Sequence, residues 1–187
     1  MQLPDRAEPW TLAAVLELGE DTSHRVEMIG GAILLTPRPG VPHQRAVRRL
    51  ANLLDAAAGD DVEVFTAVNV NLSERALVTP DITVVHAAAA HGNRAYFDAA
   101  DVVLASEVTT EDTEVTDRFT RPALYAAAGI RHHWRLDIDP APHLWTGTLS
   151  GTAYTTTAQV PAGHTARIAA PYALQLDPAH LLTPPTS

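Results

Sequence analysis

The sequence predicts one domain of mixed α/β class, and three observations carry that reading. Two apolar runs, residues 82–85 and 102–108, have the length and β-branched content of strands buried on both faces. Residues 43–58 set His43, Val47, Leu50 and Leu54 on one helical stripe. Residues 62–72 alternate, with Val62, Val64, Thr66, Val68 and Val70 on one side, the pattern of a half-buried strand. At 187 residues the chain is of one-domain size and long enough for a sizeable core. No repeat or linker divides it, so the domain is expected to span 1–182, with a flexible tail at 183–187.

The remaining elements follow in order. Residues 9–18 carry a short helical pattern, with Leu12, Val15 and Leu16 on one face and Gly19 as its stop. Residues 24–29 and 32–36 read as two strands joined at Gly30-Gly31, a hairpin signal. Glu27, between Val26 and Met28, reads first as the solvent side of an alternating edge strand. A loop with three prolines covers 37–42, and residues 73–77 read as a turn entering the Pro80-Asp81 pair. Residues 87–100 are an alanine-rich loop or short helix, and 109–113 are polar and mobile in character. Residues 114–128 have a helical pattern ended by Gly129, although Pro122 fits badly inside it. Residues 131–137 form a further strand. Short antiparallel strands follow at 143–146, 153–157 and 166–168, and a strand with one helical turn closes the chain at 173–182.

Composition bounds the function. The chain is 46% hydrophobic and has no apolar run of membrane-spanning length, and residues 1–10 show no signal-peptide pattern. It has no cysteine, which excludes disulfides and thiolate metal sites and points to a cytoplasmic protein. A formal net charge of −9 argues against tight non-specific binding to nucleic acid but leaves room for a local basic patch. All 13 basic residues are arginine, so no mechanism that needs a lysine can operate. Arg38, Arg45, Arg48 and Arg49 form the one dense basic cluster; it is either a solvated face or the place where DNA would be held. No membrane partner is expected, and a homodimer stays open.

The stretch 80–125 carries the chemistry. Asp81 opens the first apolar run and Glu107 stands near the end of the second, each where an apolar residue is expected. A lone carboxylate there costs several kcal/mol unless something binds it, and two on neighbouring strands repel unless a cation sits between them. A divalent-metal site is therefore the leading reading. The alternative is that Asp81 caps a strand and Glu107 pairs with an arginine. His43, at the start of its helix on the core-facing stripe, reads as a satisfied structural histidine or as a ligand. Asp117 and Arg121 share a helix face and read as a helical ion pair.

The order HRVEMIGGAILLTP, PHQRAVRRLANLL, TPDITVV, ASEVTTEDT and DRFTRPALYAAAGIRHHWRLD resembles the Uma family of putative restriction endonucleases, a branch of the PD-(D/E)XK nuclease superfamily. The resemblance covers about residues 5–182. It implies a restriction endonuclease-like core: a mixed central sheet flanked by helices, with further antiparallel strands at the N- and C-terminal parts. It implies a phosphodiesterase site in which Asp81 and Glu107 ligate Mg2+ or Mn2+, with the backbone carbonyl of Val108 as a further oxygen ligand. These are hard ligands for a hard cation. By the same resemblance Glu27 contacts the metal through water, and His43 is the histidine opening the first long helix.

The departures are equally specific. The superfamily lysine would fall at Thr109, and the resemblance moves its role to Arg121, which keeps a positive charge but cannot act as a base. An acid common in the family at Gly30, and another near Ala32, are absent. Three functions follow: a metal-dependent endonuclease acting on DNA, a catalytically silent binding or assembly module, and a metal-dependent hydrolase of a small phosphorylated substrate.

Overall fold

The structure is a computed structural model that describes residue 4, residues 7–18, residue 21 and residues 23–183. Helix α1 (Leu12–Leu16) opens on Thr11, whose hydroxyl accepts the Ala14 N–H at 3.4 Å. The expected stop at Gly19 lies outside the described residues, as does the tail beyond Thr183. Strands β1 (His24–Ile29) and β2 (Ala32–Pro37) form the expected hairpin. Its two-residue turn has positive φ at both Gly30 (62°) and Gly31 (81°), which a primed turn requires. Helix α2 (Val41–Ala57) starts two residues before His43, with Pro42 in its first turn, where a missing N–H costs nothing.

The alternating segment 62–72 is two strands rather than one. β3 (Val62–Thr66) and β4 (Val70–Ser73) lie in different sheets, and the chain breaks at Ala67, whose φ is +53°. Asp81 holds that break, its carbonyl accepting the Ala67 N–H at 3.2 Å. The expected turn at 73–77 shrinks, because β5 (Ala76–Val78) is a fully buried strand. It pairs with both β1 and β4, so β1 is an interior strand. β6 (Ile82–His86) follows. The alanine-rich stretch gives two 3-10 turns around β7 (Phe97–Asp98), which pairs parallel to β4.

β8 (Val102–Thr109) runs through the second carboxylate. Residues 111–113 form a 3-10 turn closed by reciprocal bonds between Thr110 and Thr113, an order that the polar composition hides. The predicted helix 114–128 forms without a break over residues 114–127, but with a π-helical turn at Thr116–Thr120 leading into α3 (Arg121–Ala127); Pro122 follows directly on that turn and does not end the helix. β9 (His132–Asp137), β10 (His143–Ser150), β11 (Ala153–Pro161), β12 (Ala166–Ile168), β13 (Leu174–Leu176) and α4 (Ala179–Leu182) complete the order.

A five-stranded sheet runs β2-β1-β5-β4-β7, and a six-stranded sheet runs β11-β10-β9-β8-β6-β3. Both are mixed, because β4–β7 and β8–β9 are parallel and the other pairs antiparallel. Leu104 packs in the cluster of Leu50, Leu54 and Trp134, under α2. Its neighbour Ala105 packs with Tyr125 of α3. Successive strand residues face opposite ways, so α2 and α3 cover opposite faces of the larger sheet. Among the described residues no helix is long and apolar enough to cross a membrane.

Candidate active site

Register brings the two strand carboxylates together. β6 and β8 pair antiparallel with Ile82 opposite Ser106, which sets Asp81 beside Glu107. The two residues are cross-linked: Val108 N–H donates to Asp81 Oδ2 at 2.9 Å, and Asp81 N–H reaches Glu107 Oε2 at 3.4 Å. Both line a cavity of about 530 Å³ together with Arg25, His43, Asp117 and Arg121.

Four carboxylates are buried here, Glu27, Asp81, Glu107 and Asp117, none more than 3% exposed. Asp81 is the best served. His43 Nε2 lies 3.0 Å from Oδ2, and Arg25 Nη2 lies 2.6 Å from Oδ1. A carboxylate only accepts, so His43 donates from Nε2; its Nδ1 is buried with no partner among the described residues. Burial raises the Asp81 pKa, but the His43 bond and the Arg25 charge overcome it and hold the carboxyl down at about 2.

Glu107 is pushed up to about 8. Burial is the largest cause, and the Asp81 and Asp117 charges add to it, against the opposing pull of Arg121 and a hydrogen bond from the Tyr125 hydroxyl. Arg121 Nη1 stands 3.4 Å from Glu107 Oε1. Asp117 is raised for the same first reason, burial, with Arg121 opposing.

Arg121 is the hub of the cluster. Its fork binds Glu27 at 3.0 Å (Nη1 to Oε1) and 2.8 Å (Nη2 to Oε2). Its Nε lies 3.0 Å from Asp117 Oδ1, close enough for an ion pair though angled away from a hydrogen bond. The expected Asp117–Arg121 pair therefore exists, but buried inside a network and not on a solvated helix face. Asp117 lies within the π-turn that leads into α3, and both residues line the cavity.

Glu27 departs most from its pattern. It is fully buried, and Thr79 N–H also donates to its Oε1 at 2.7 Å. The face of β1 that carries Glu27 is turned inward, where Arg121 and the Thr79 N–H close over the carboxylate. Glu27 does not line the cavity, and both its oxygens are committed to Arg121. Of Val108, it is the N–H that reaches Asp81. Thr109, where the sequence resemblance would have placed a lysine, is 3% exposed.

Two further members of the constellation escaped the sequence in their roles, Arg25 and Tyr125, whereas Asp117 was already paired with Arg121. Arg25 is two residues before Glu27 on β1, hence on the same face. Tyr125 carried one signal, since a buried phenol needs a partner for its hydroxyl. The basic cluster disperses. Arg49 binds the carbonyls of His180 and Thr183 at 2.5 and 2.6 Å, and Arg45 reaches the Leu182 carbonyl at 3.4 Å, so both tie α2 to α4. Arg48 is exposed, and Arg38 lines the cavity.

Among the described residues no three His, Asp or Glu side chains form a metal cage on their own. The donor set nevertheless fits a hard cation that keeps most of its waters. Asp81 Oδ1 and Glu107 Oε2 each accept one hydrogen bond and retain a second lone pair. Among the described residues four buried carboxyls face two guanidiniums, and a divalent ion would favour the ionised form of Glu107, which burial otherwise keeps largely protonated at neutral pH.

The family model described as "Putative restriction endonuclease" (Uma2) matches residues 12–178. A crystal structure from Anabaena variabilis, titled as a putative nuclease belonging to DUF820, superposes with a TM-score of 0.71 at 19% identity, covering 93% of this chain and 98% of that one. No curated protein matches. A family match over most of the chain, a nuclease-like fold and an acidic cavity at the expected strand positions converge: the chain belongs to the Uma2 family.

Proposed function

We propose that the protein is a metal-dependent endonuclease that hydrolyses phosphodiester bonds of DNA. The observation that carries this reading is the side-by-side placement of Asp81 and Glu107 on one cavity wall, within a buried cluster rich in carboxyl groups. Asp81 Oδ1 and Glu107 Oε2 would hold Mg2+ or Mn2+, with waters and a substrate oxygen filling the other positions. A bound ion of this kind supplies Lewis acidity toward the phosphoryl oxygens and makes a water more acidic.

The chain's own residues supply the positioning. His43 and the Val108 N–H fix the rotamer of Asp81. Tyr125 and Arg121 fix Glu107 from the opposite side. Arg121, saturated by Glu27 and its neighbours, acts as a fixed counter-charge that keeps the acidic wall folded; it takes no proton, because a guanidinium stays charged.

The test is cleavage of supercoiled plasmid by the wild type and by Asp81→Asn in Mg2+, in Mn2+ and in a chelator. Metal-dependent nicking that disappears in Asp81→Asn supports the reading. Hydrolysis of bis(p-nitrophenyl) phosphate with intact plasmid would favour a small phosphorylated substrate. Inertness toward both, in a protein that folds, would leave a silent binding module.

A further inference from the structure

We infer that Arg25 is the movable cation of this site: it yields Asp81 to a divalent ion and turns to a phosphate of the bound strand. This rests on the nuclease reading above. Two guanidiniums touch the acidic cluster, and they are held very differently. Arg121 is 4% exposed and contacts Glu27, Glu107 and Asp117. Turning it outward would leave three buried carboxyls without their shared counter-charge, which is strongly unfavourable. Arg25 makes one carboxylate contact, its Nη2 on Asp81 Oδ1, and its side chain is 17% exposed. Asp81 keeps two partners, His43 and the Val108 N–H, when Arg25 leaves.

The oxygen that Arg25 covers is also the one on Asp81 with acceptor capacity to spare. A guanidinium and a divalent cation on one carboxylate oxygen repel each other strongly in a buried setting. Arrival of the ion therefore drives Arg25 away, and the fold offers it a destination. Arg25 lines the cavity and also an adjoining groove of about 670 Å³. Arg38 lines both spaces as well, and His24, Gln44 and Asn69 stand in the groove wall, with Asp21 on His24 and apolar residues such as Leu16 among them. This gives a partly polar path, with Arg38 beside it, leading away from the acidic pair. A planar guanidinium at its entrance matches the two oxygens of a phosphate.

Arg25 is thus a counter-cation in the metal-free protein and a phosphate ligand in the substrate complex. The experiment compares wild type with Arg25→Ala by calorimetric titration of the metal-free proteins with MnCl2. A parallel titration of a labelled short DNA duplex in CaCl2 is followed by anisotropy. Removing the competing cation should tighten Mn2+ binding about tenfold, while duplex binding in Ca2+ weakens by about the same factor. Mn2+ binding seen in Arg25→Ala alone also supports the inference. Unchanged or weaker Mn2+ binding beside a wild type that binds overturns it and leaves the nuclease reading standing, as does unchanged duplex affinity. Absence of Mn2+ binding in both proteins removes the nuclease reading and the inference together. Arg25→Gln, nearer in shape, runs the same comparison if the alanine variant does not fold; a merely structural Arg25 would give neither opposed change.

Discussion

Replacing Arg121 by methionine should unfold much of the stability margin. Arg121 is 4% exposed and forks onto Glu27, itself fully buried, while also facing Glu107 and Asp117. Methionine fills comparable volume but supplies no charge and no donor, so the carboxylate of Glu27 is left with the Thr79 N–H alone. Breaking one side of a buried pair costs about 3–5 kcal/mol. In a chain of this size each kcal/mol shifts the melting temperature by roughly 2–4 °C, so a fall on the order of 10 °C is expected. Urea unfolding followed by circular dichroism measures it directly, as a lower midpoint with an unchanged slope. The companion variant Glu27→Gln and the double variant complete the cycle. Because both single changes damage one network, the double variant should lose distinctly less than the sum. Losses below about 1 kcal/mol, or strictly additive ones, would refute Arg121 as the structural hub.

Two other consequences are independent of any metal. His133 is completely buried, donates Nδ1–H to the Ala105 carbonyl at 2.9 Å, and has its pKa driven down to about 4 by burial. Between that value and the unfolded value near 6.5 only the unfolded chain takes the proton, so stability present above about pH 6.5 is lost as pH falls toward 4, by at most about 3 kcal/mol. Urea midpoints across that range should slope less in His133→Asn than in wild type, and equal slopes would contradict the assignment. Arg49→Ala should free the end of α4 by removing the bonds to the His180 and Thr183 carbonyls. Amide exchange at Leu181 and Leu182 should quicken while global stability falls by no more than about 1.5 kcal/mol; unchanged exchange there would argue against that tie.

Much of the fold was legible because its signals are local. The Gly30-Gly31 hairpin, the His43–Leu54 stripe and the two doubly buried strands each follow from spacing alone. Asp81 and Glu107 could be singled out because a carboxylate inside an apolar run needs a reason. What stayed hidden depends on partners far along the chain. Glu27 looks solvent-facing until Arg121 arrives over its side of the sheet from a helix 94 residues away. Arg25 reads as an ordinary strand residue until Asp81 is placed beside it. Ala67, with no glycine or proline to mark it, divides an unbroken alternation between two sheets. The π-turn before Pro122 is likewise invisible to a pattern that assumes one helical period.

The central claim, that Asp81 and Glu107 together form a divalent-cation site, is tested most directly by titrating Mn2+ into the wild type and into the double variant Asp81→Ala, Glu107→Ala, with circular dichroism showing that both are folded. Saturable binding in the wild type that vanishes in the double variant is the predicted result. Binding that survives the loss of both carboxylates, or none in the wild type and none in Arg25→Ala, with or without a DNA duplex present, would contradict it.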